Sequence, residues 1–131
     1  MTALTSPGFY NAYVKLPDAE TPCPLEIETN PKLYPFLKDT VGSFDCTQVE
    51  VNPPSEDRAH FRNRKGRLTL NVLAGCTFDL LFCYVLSGWE GSAADGTVFK
   101  DARKNDLTMP EGKYYLADAS FGSCDSLLVP Y

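Results

Sequence analysis

Gly88-Trp89-Glu90-Gly91-Ser92-Ala93-Ala94-Asp95 is the stretch on which the fold of this chain turns. On its N-terminal side, Leu68 to Ala74 and Leu80 to Leu86 are apolar runs joined by Gly75-Cys76-Thr77-Phe78-Asp79, a connection short enough to make them an antiparallel hairpin. On its C-terminal side, Ser92 is placed to cap a helix from about Ala93 to Lys104, with Asp95 in the first turn and Val98, Phe99 and Ala102 facing inward. Strand therefore gives way to helix within this one segment. Earlier in the chain, Val41 to Val49 alternates so that Val41, Ser43, Asp45, Thr47 and Val49 share a face. Later, Pro110 and Gly112 close a connection and Tyr114 to Ala117 reads as a short buried strand. The predicted order is strand, strand, strand, helix, strand, an α/β arrangement.

That order has a mechanical consequence. If the last strand returns beside the first through a right-handed helical crossover, the two become parallel neighbours in the middle of a mixed sheet. Asp45 on the first strand and Asp118 at the C-terminal end of the fourth then lie side by side. Two carboxylates held that close repel each other, a cost removed when a divalent cation sits between them. Hard oxygen ligands favour Mg or Mn over zinc. With Asp95 at the start of the helix, three acids fall at or near element ends in an order that suits a divalent-metal site acting on phosphate.

The 131 residues suffice for one core and are too few for two comfortable domains. The hydrophobic fraction is 44% and the mean hydropathy −0.22, and no apolar run approaches the roughly 20 residues of a membrane span, so no membrane partner is expected. The opening MTALTSPGFYNAYVKLPD lacks a basic start followed by an apolar stretch, so no secretory signal is expected and an intracellular address is the default. Cys23, Cys46, Cys76, Cys83 and Cys124 are odd in number and form no CxxC pair, which speaks against a zinc knuckle and a disulfide framework. His60 is the only histidine, so neither a multi-histidine metal site nor a catalytic triad is expected.

Residues 1–39 carry six of the ten prolines and read as an arm, extended apart from a helical turn near Tyr34 to Lys38, that packs through Phe9, Tyr10, Tyr13, Tyr34 and Phe36. Residues 40–131 read as the structured domain. A formal charge of −5 points away from nucleic acid, but the charges are unevenly spread. Arg58, Arg62, Arg64, Lys65 and Arg67 cluster around His60 and Phe61, and Lys100, Arg103 and Lys104 form a smaller group. Each run reads either as a solvated loop or, for the first, as a phosphate-holding surface in which Arg62, Arg64, Lys65 and Arg67 bind nucleic acid.

From about Phe9 to Tyr131 the chain resembles the DDE nuclease domain of PIF/Harbinger-type transposases and the host proteins derived from them, in the form found in fungal genomes. The resemblance rests on GSFDCTQVEV, on FRNRKGRLTLNVLAGCTFDLLFCYVLSGWEGSAADGTVFKDA and on KYYLADASF with LLVPY. It implies an RNase H-like fold, with three antiparallel strands, a helix and a parallel fourth strand. It also implies DNA cleavage and joining with two metal ions, Mg or Mn, held by two aspartates and a glutamate. Carried over by motif, the catalytic aspartates are Asp45, in FDCTQ, and Asp118, in LADAS. Asp95 matches the acid of the GSxxD motif, which makes Asp45, Asp95 and Asp118 the candidate metal ligands. A nuclear location, DNA as substrate and a separate DNA-binding protein as partner follow from the same resemblance, since no helix-turn-helix or zinc finger is visible.

The departures shape the expectation of activity. Cys46 stands where the family motif has glycine and Gln48 where it has histidine. The family glutamate lies on a helix well beyond the second aspartate, and neither Glu111 nor Asp125 sits where that helix belongs. The domain is therefore expected to be incomplete at its C-terminus, marginally stable, inclined to self-associate, and a poor nuclease or none. The alternative is a catalytically silent, domesticated or decayed remnant that binds DNA or a protein.

Overall fold

Thr40–Glu50 forms the central strand, β1, of a five-stranded sheet in the order β3-β2-β1-β4-β5. The structure is a computed structural model that describes residues 6–122, 124 and 126–130. β2 (Thr69–Cys76) runs antiparallel to β1, with Ala74 opposite Asp45 and Asn71 opposite Gln48. β3 (Phe82–Glu90) returns antiparallel on the outside of β2. The chain then crosses over through a helix, Asp95–Asn105, and enters β4 (Tyr114–Leu116) parallel to β1, with Leu116 opposite Ser43. Short turns can only reverse a strand, whereas a helical crossover lets it run parallel. The mixed α/β sheet matches the expected architecture and is consistent with an RNase H-like fold. The structure adds β5 (Leu127–Leu128), parallel to β4, which is too short to show any alternation in sequence.

One face of this sheet makes the core. Along β2 the residues Thr69, Asn71, Leu73 and Gly75 are buried and those between them only partly so, the period-2 pattern of a strand with one covered face. Phe44 is the centre, its ring 4.6 Å from that of Tyr115, 5.5 Å from Phe99 and 6.2 Å from Tyr84. The crossover helix lays Val98, Phe99 and Ala102 on this cluster, as its periodicity predicts. Each such side chain contributes on the order of 1.5–3 kcal/mol by leaving water. Gly75 is required here, because a Cβ would stand 2.7 Å from the Phe44 ring. Of the residues predicted to share a face with Asp45, Val41 is buried in the core, whereas Ser43, Asp45, Thr47 and Val49 are exposed; Phe44 is buried and Cys46 half-buried.

The N-terminal region differs from the extended arm expected. Pro7–Tyr13 is a helix, α1, with Pro7 at its first position and the Ser6 hydroxyl accepting from the Phe9 N–H. A second short helix, α2, spans Leu25–Glu28 and buries Ile27. Helical hydrogen bonds from Tyr34 to Asn30 and from Leu37 to Leu33 bear out the turn expected nearby. The packing residues are fewer than predicted. Tyr10 does pack, its hydroxyl accepting from the Val85 N–H at 3.0 Å and so occupying the free edge of β3. Tyr13 and Phe36, expected to pack, are 70% and 78% exposed. The reason is that an aromatic in a short helix on the surface finds a neighbour only where the sheet edge is within reach, and Phe9 instead meets Tyr13, centroid to centroid, at 4.6 Å.

A third short helix, α3, spans Arg58–Phe61, so the crossover helix Asp95–Asn105 is α4. Its N-cap is Ala94 and not Ser92. The chain first makes a turn in which Ala93 N–H bonds to Glu90 O, and this points the Ser92 hydroxyl at His60 O, 3.3 Å away. Asp95 is left at the first helical position with its carboxylate turned towards the sheet.

Candidate active site

Four elements deliver side chains to one place: the turn after β4, the start of α4, and the middles of β1 and β2. After Leu116 the chain leaves the sheet and turns through a 3-10 helix, Ala119–Phe121, whose N-cap is Asp118. Asp118 Oδ1 accepts the Ser120 N–H at 2.9 Å, the local bond for which aspartate is favoured at such turns. That turn sets the Ser120 hydroxyl between two acids, against Asp118 Oδ1 on one side and 2.6 Å from Asp95 Oδ2 on the other. A hydroxyl has one proton, so it can donate to only one of the two carboxylates at a time.

Asn71 holds the other side of Asp95. Its Nδ2 donates to Asp95 Oδ1 at 3.2 Å and to Ala93 O at 3.0 Å, tying β2 to the start of α4. The residue is fully buried, and its Oδ1 has no hydrogen-bond partner among the described residues. Cys46 completes the group. Burial, and then the negative charge of Asp95 with smaller contributions from Asp45 and Asp118, pushes its thiol far above the ordinary range, so it stays neutral.

Asp45 stands beside this cluster and points elsewhere. Beyond Ser43, where β4 no longer pairs with β1, the Asp45 carboxylate accepts the Cys46 N–H at 2.8 Å. Its side chain lines a hollow with Ala74 and Phe82, on the sheet face opposite α4. β1 and β4 are adjacent strands, as read from the order of elements, but Asp118 follows the end of β4 and is linked to Asp95 through the Ser120 hydroxyl. Among the described residues, no three His, Cys, Asp or Glu side chains converge closely enough to enclose a metal ion. The carboxylates of Asp95 and Asp118, sharing one proton, suit a single hard cation; they do not make a three-carboxylate, two-metal centre. Glu111 is exposed in the turn before β4, and Asp125 lies outside the described residues.

A cleft of about 590 Å³ opens from Asp95 and Ser120 towards the basic segment, with Thr69 and Gln48 along it. The basic segment is a built hairpin. Asn63 Oδ1 accepts from Lys65 N at 2.9 Å and Arg67 N at 3.0 Å, and Arg62 Nη1 donates to Gly66 O at 3.1 Å. Arg64, Lys65 and Arg67 face the cleft, whereas Arg62 holds the turn. Arg67 pairs with Glu50 at 3.0 Å, an exposed contact of small energy. The side chains of Arg64 and Lys65 make no hydrogen bond or ion pair among the described residues. Trp89 is structural, its Nε1 donating to Asp101 Oδ2 at 3.0 Å across to α4.

Ser120 and Asn71 were not legible as site residues. A signal existed for Asn71, an amide on the inward side of the apolar strand TLNVLAGC, where burial demands partners. Ser120 carried only the Asp-x-Ser spacing of a turn.

The sheet order, with acids gathered after the parallel strand β4 and a basic cleft beside them, is that of a mixed α/β domain and is consistent with an RNase H-like fold. Residues 44–131 match the family described as DDE superfamily endonuclease, and the chain belongs to that transposase-derived family. Comparisons with curated proteins and with solved structures gave no significant match.

Proposed function

We propose that this domain is a DDE endonuclease of the PIF/Harbinger type, in its fungal form, that holds DNA along the basic cleft and takes one Mg or Mn ion weakly at Asp118 and Asp95, with Asp45 adjacent. The observation that carries this reading is the single Ser120 hydroxyl shared by two carboxylates at the mouth of a cleft lined by Arg64 and Lys65. The cation, when bound, supplies Lewis-acid stabilisation of charge on a phosphate. The chain's own residues do the rest: Arg64 and Lys65 hold phosphates as point charges, Asn71 fixes the orientation of Asp95, and the Asp118 cap fixes Ser120. The resemblance assigns the catalytic roles to Asp45 and Asp118; Asp118 meets this ion directly, and Asp45 joins it only if its carboxylate turns from the opposite sheet face. With two acids converging and not three, cleavage by this domain is slow. Action on chromosomal DNA places it in the nucleus, alongside a separate DNA-binding protein.

Calorimetric titration of Mn into the parent chain and into Asp45→Asn, Asp95→Asn and Asp118→Asn variants tests this. Affinity is expected to fall by about tenfold or more in the Asp95 and Asp118 variants, with a smaller loss for Asp45→Asn. Parent-like binding in all three would mean that the ion sits elsewhere. A second reading, a silent remnant that binds DNA, is favoured by the lack of three converging acids among the described residues. It predicts no Mn binding but retained, salt-sensitive DNA binding.

A further inference from the structure

The sheet face that carries Phe44 and Leu73 in the core carries polar side chains further along. Gln48 stands opposite Asn71 there, and Glu50 opposite Thr69. Thr69 is buried, and its hydroxyl donates to Gln48 Oε1. Gly91 closes on that same hydroxyl, since a Cβ at Gly91 would overlap Thr69 Oγ1. A hydroxyl has one proton, and this one is committed to Gln48, so the carboxamide is held by its oxygen end. Its Nε2, with two N–H donors, makes no hydrogen bond among the described residues. Gln48 lines the cleft that Arg64, Lys65, Asp95 and Ser120 also line. The carboxylate of Glu50, on the same cleft, is already paired with Arg67. Gln48 thus presents an oriented, neutral and unspent donor on a surface whose other free donors are cations. A cation opposite Asn71 would compete for Asp95, to which Asn71 is bonded, whereas a neutral amide can hold an anion there and leave that carboxylate alone.

We propose that Gln48 is a DNA-phosphate-binding residue, its Nε2 donating to a non-bridging oxygen of the backbone in the cleft, with Thr69 as the residue that positions it. The inference rests on the reading that DNA lies along this cleft. It deepens that reading by naming the contact that fixes the register of the strand. Arg64 and Lys65 attract phosphates over a range of positions, whereas a hydrogen bond from an amide anchored at one end is directional and selects one.

Fluorescence anisotropy with a labelled duplex, over a salt series and without divalent metal, tests this independently of the ion site. Gln48→Ala is expected to bind about tenfold more weakly than the parent. The slope of log affinity against log salt is expected to stay parental, because a neutral amide releases no counterion. Gln48→Glu, which sets a negative charge against the phosphate, is expected to bind more weakly still. Thr69→Val keeps the shape and loses the donor, and is expected to lose affinity several-fold, whereas Thr69→Ser binds like the parent. Gln48→Ala combined with Thr69→Val is expected to cost no more than Gln48→Ala alone, since both act through one contact. The proposal is overturned if Gln48→Ala matches the parent, if Thr69→Val matches it while folded by circular dichroism, or if the two losses add. Should Thr69→Val not fold, Gln48→Ala, at an exposed position, and Thr69→Ser decide the matter. A parent that binds no duplex, or one whose affinity survives Arg64→Ala with Lys65→Ala, removes the DNA reading of the cleft itself and the role of Gln48 with it.

Discussion

A methyl group added at Gly91 would run into Thr69 Oγ1 and stand 2.6 Å from Thr69 O and 2.9 Å from Phe61 O. Two of these three are backbone atoms, so the neighbours cannot step aside cheaply. Gly91→Ala is therefore expected to cost about 1–3 kcal/mol, as overpacking does. Denaturant unfolding checks this, and parental stability would show that the turn from β3 into α4 has room for a side chain. The same scale explains what the segment around Gly91 could and could not disclose. Asp95 was legible because an acid in a first helical turn is a local pattern. The partners of its carboxylate were not, since Asn71 and Ser120 lie 24 and 25 residues away in the chain and meet it only after folding. Ser92 illustrates the reverse error: its residue type fits a cap, but the turn at Glu90–Ala93 spends its hydroxyl on His60 O.

The hairpin from Arg62 to Leu68 shows how an element converts a charge run into a surface. The sequence offered Arg62, Arg64, Lys65 and Arg67 as equivalents, and the Asn63 turn separates them into one that braces the loop, one paired with Glu50 and two whose side chains are left for a ligand. Replacing Arg64 and Lys65 together with alanine is expected to weaken duplex binding equally for unrelated sequences. It should also reduce the slope of log affinity against log salt by about 2, close to one for each phosphate no longer neutralised. Fluorescence anisotropy over a salt series measures both. An unchanged slope would remove the hairpin from the DNA-binding surface. Among the strands, alternation located β1 and apolar runs located β2 and β3, though β2 and β3 lie one or more residues further along than those runs suggested. The hairpin turn moves with them, and Leu80 takes a left-handed backbone, φ 65°, to close it. Apolar composition marks which residues can be buried, whereas the end of a strand is set by where its partner stops pairing.

At the scale of the molecule, several groups held neutral by burial share one core. Burial raises the Cys83 thiol from 9.0 to about 11, and the Tyr84 and Tyr115 hydroxyls are raised by burial as well. A group whose pKa is raised in the folded state stabilises it fully below the unfolded value and loses that contribution as pH climbs to the folded one. For Cys83 the window runs from about pH 9 to about pH 11, and the tyrosines extend it upward. The melting temperature is accordingly expected to fall with pH above 9, and Cys83→Ala to flatten the first part of that fall. A melting temperature level through this range would contradict the burial of these groups. On its own, the sequence determined the four main strands, the crossover helix and their order, though not the N-terminal helices or β5, because apolar runs and period-2 and period-3.6 patterns are local and survive without the rest of the chain. A helical crossover also allowed a parallel return, and the structure places that return beside β1. Only the tertiary structure decided that Asp45 turns away from α4 and that Ser120 and Asn71 join Asp95. Those outcomes depend on which face of β1 the helix covers and on how the chain turns after Asp118, and both are set by packing between segments that are distant in sequence.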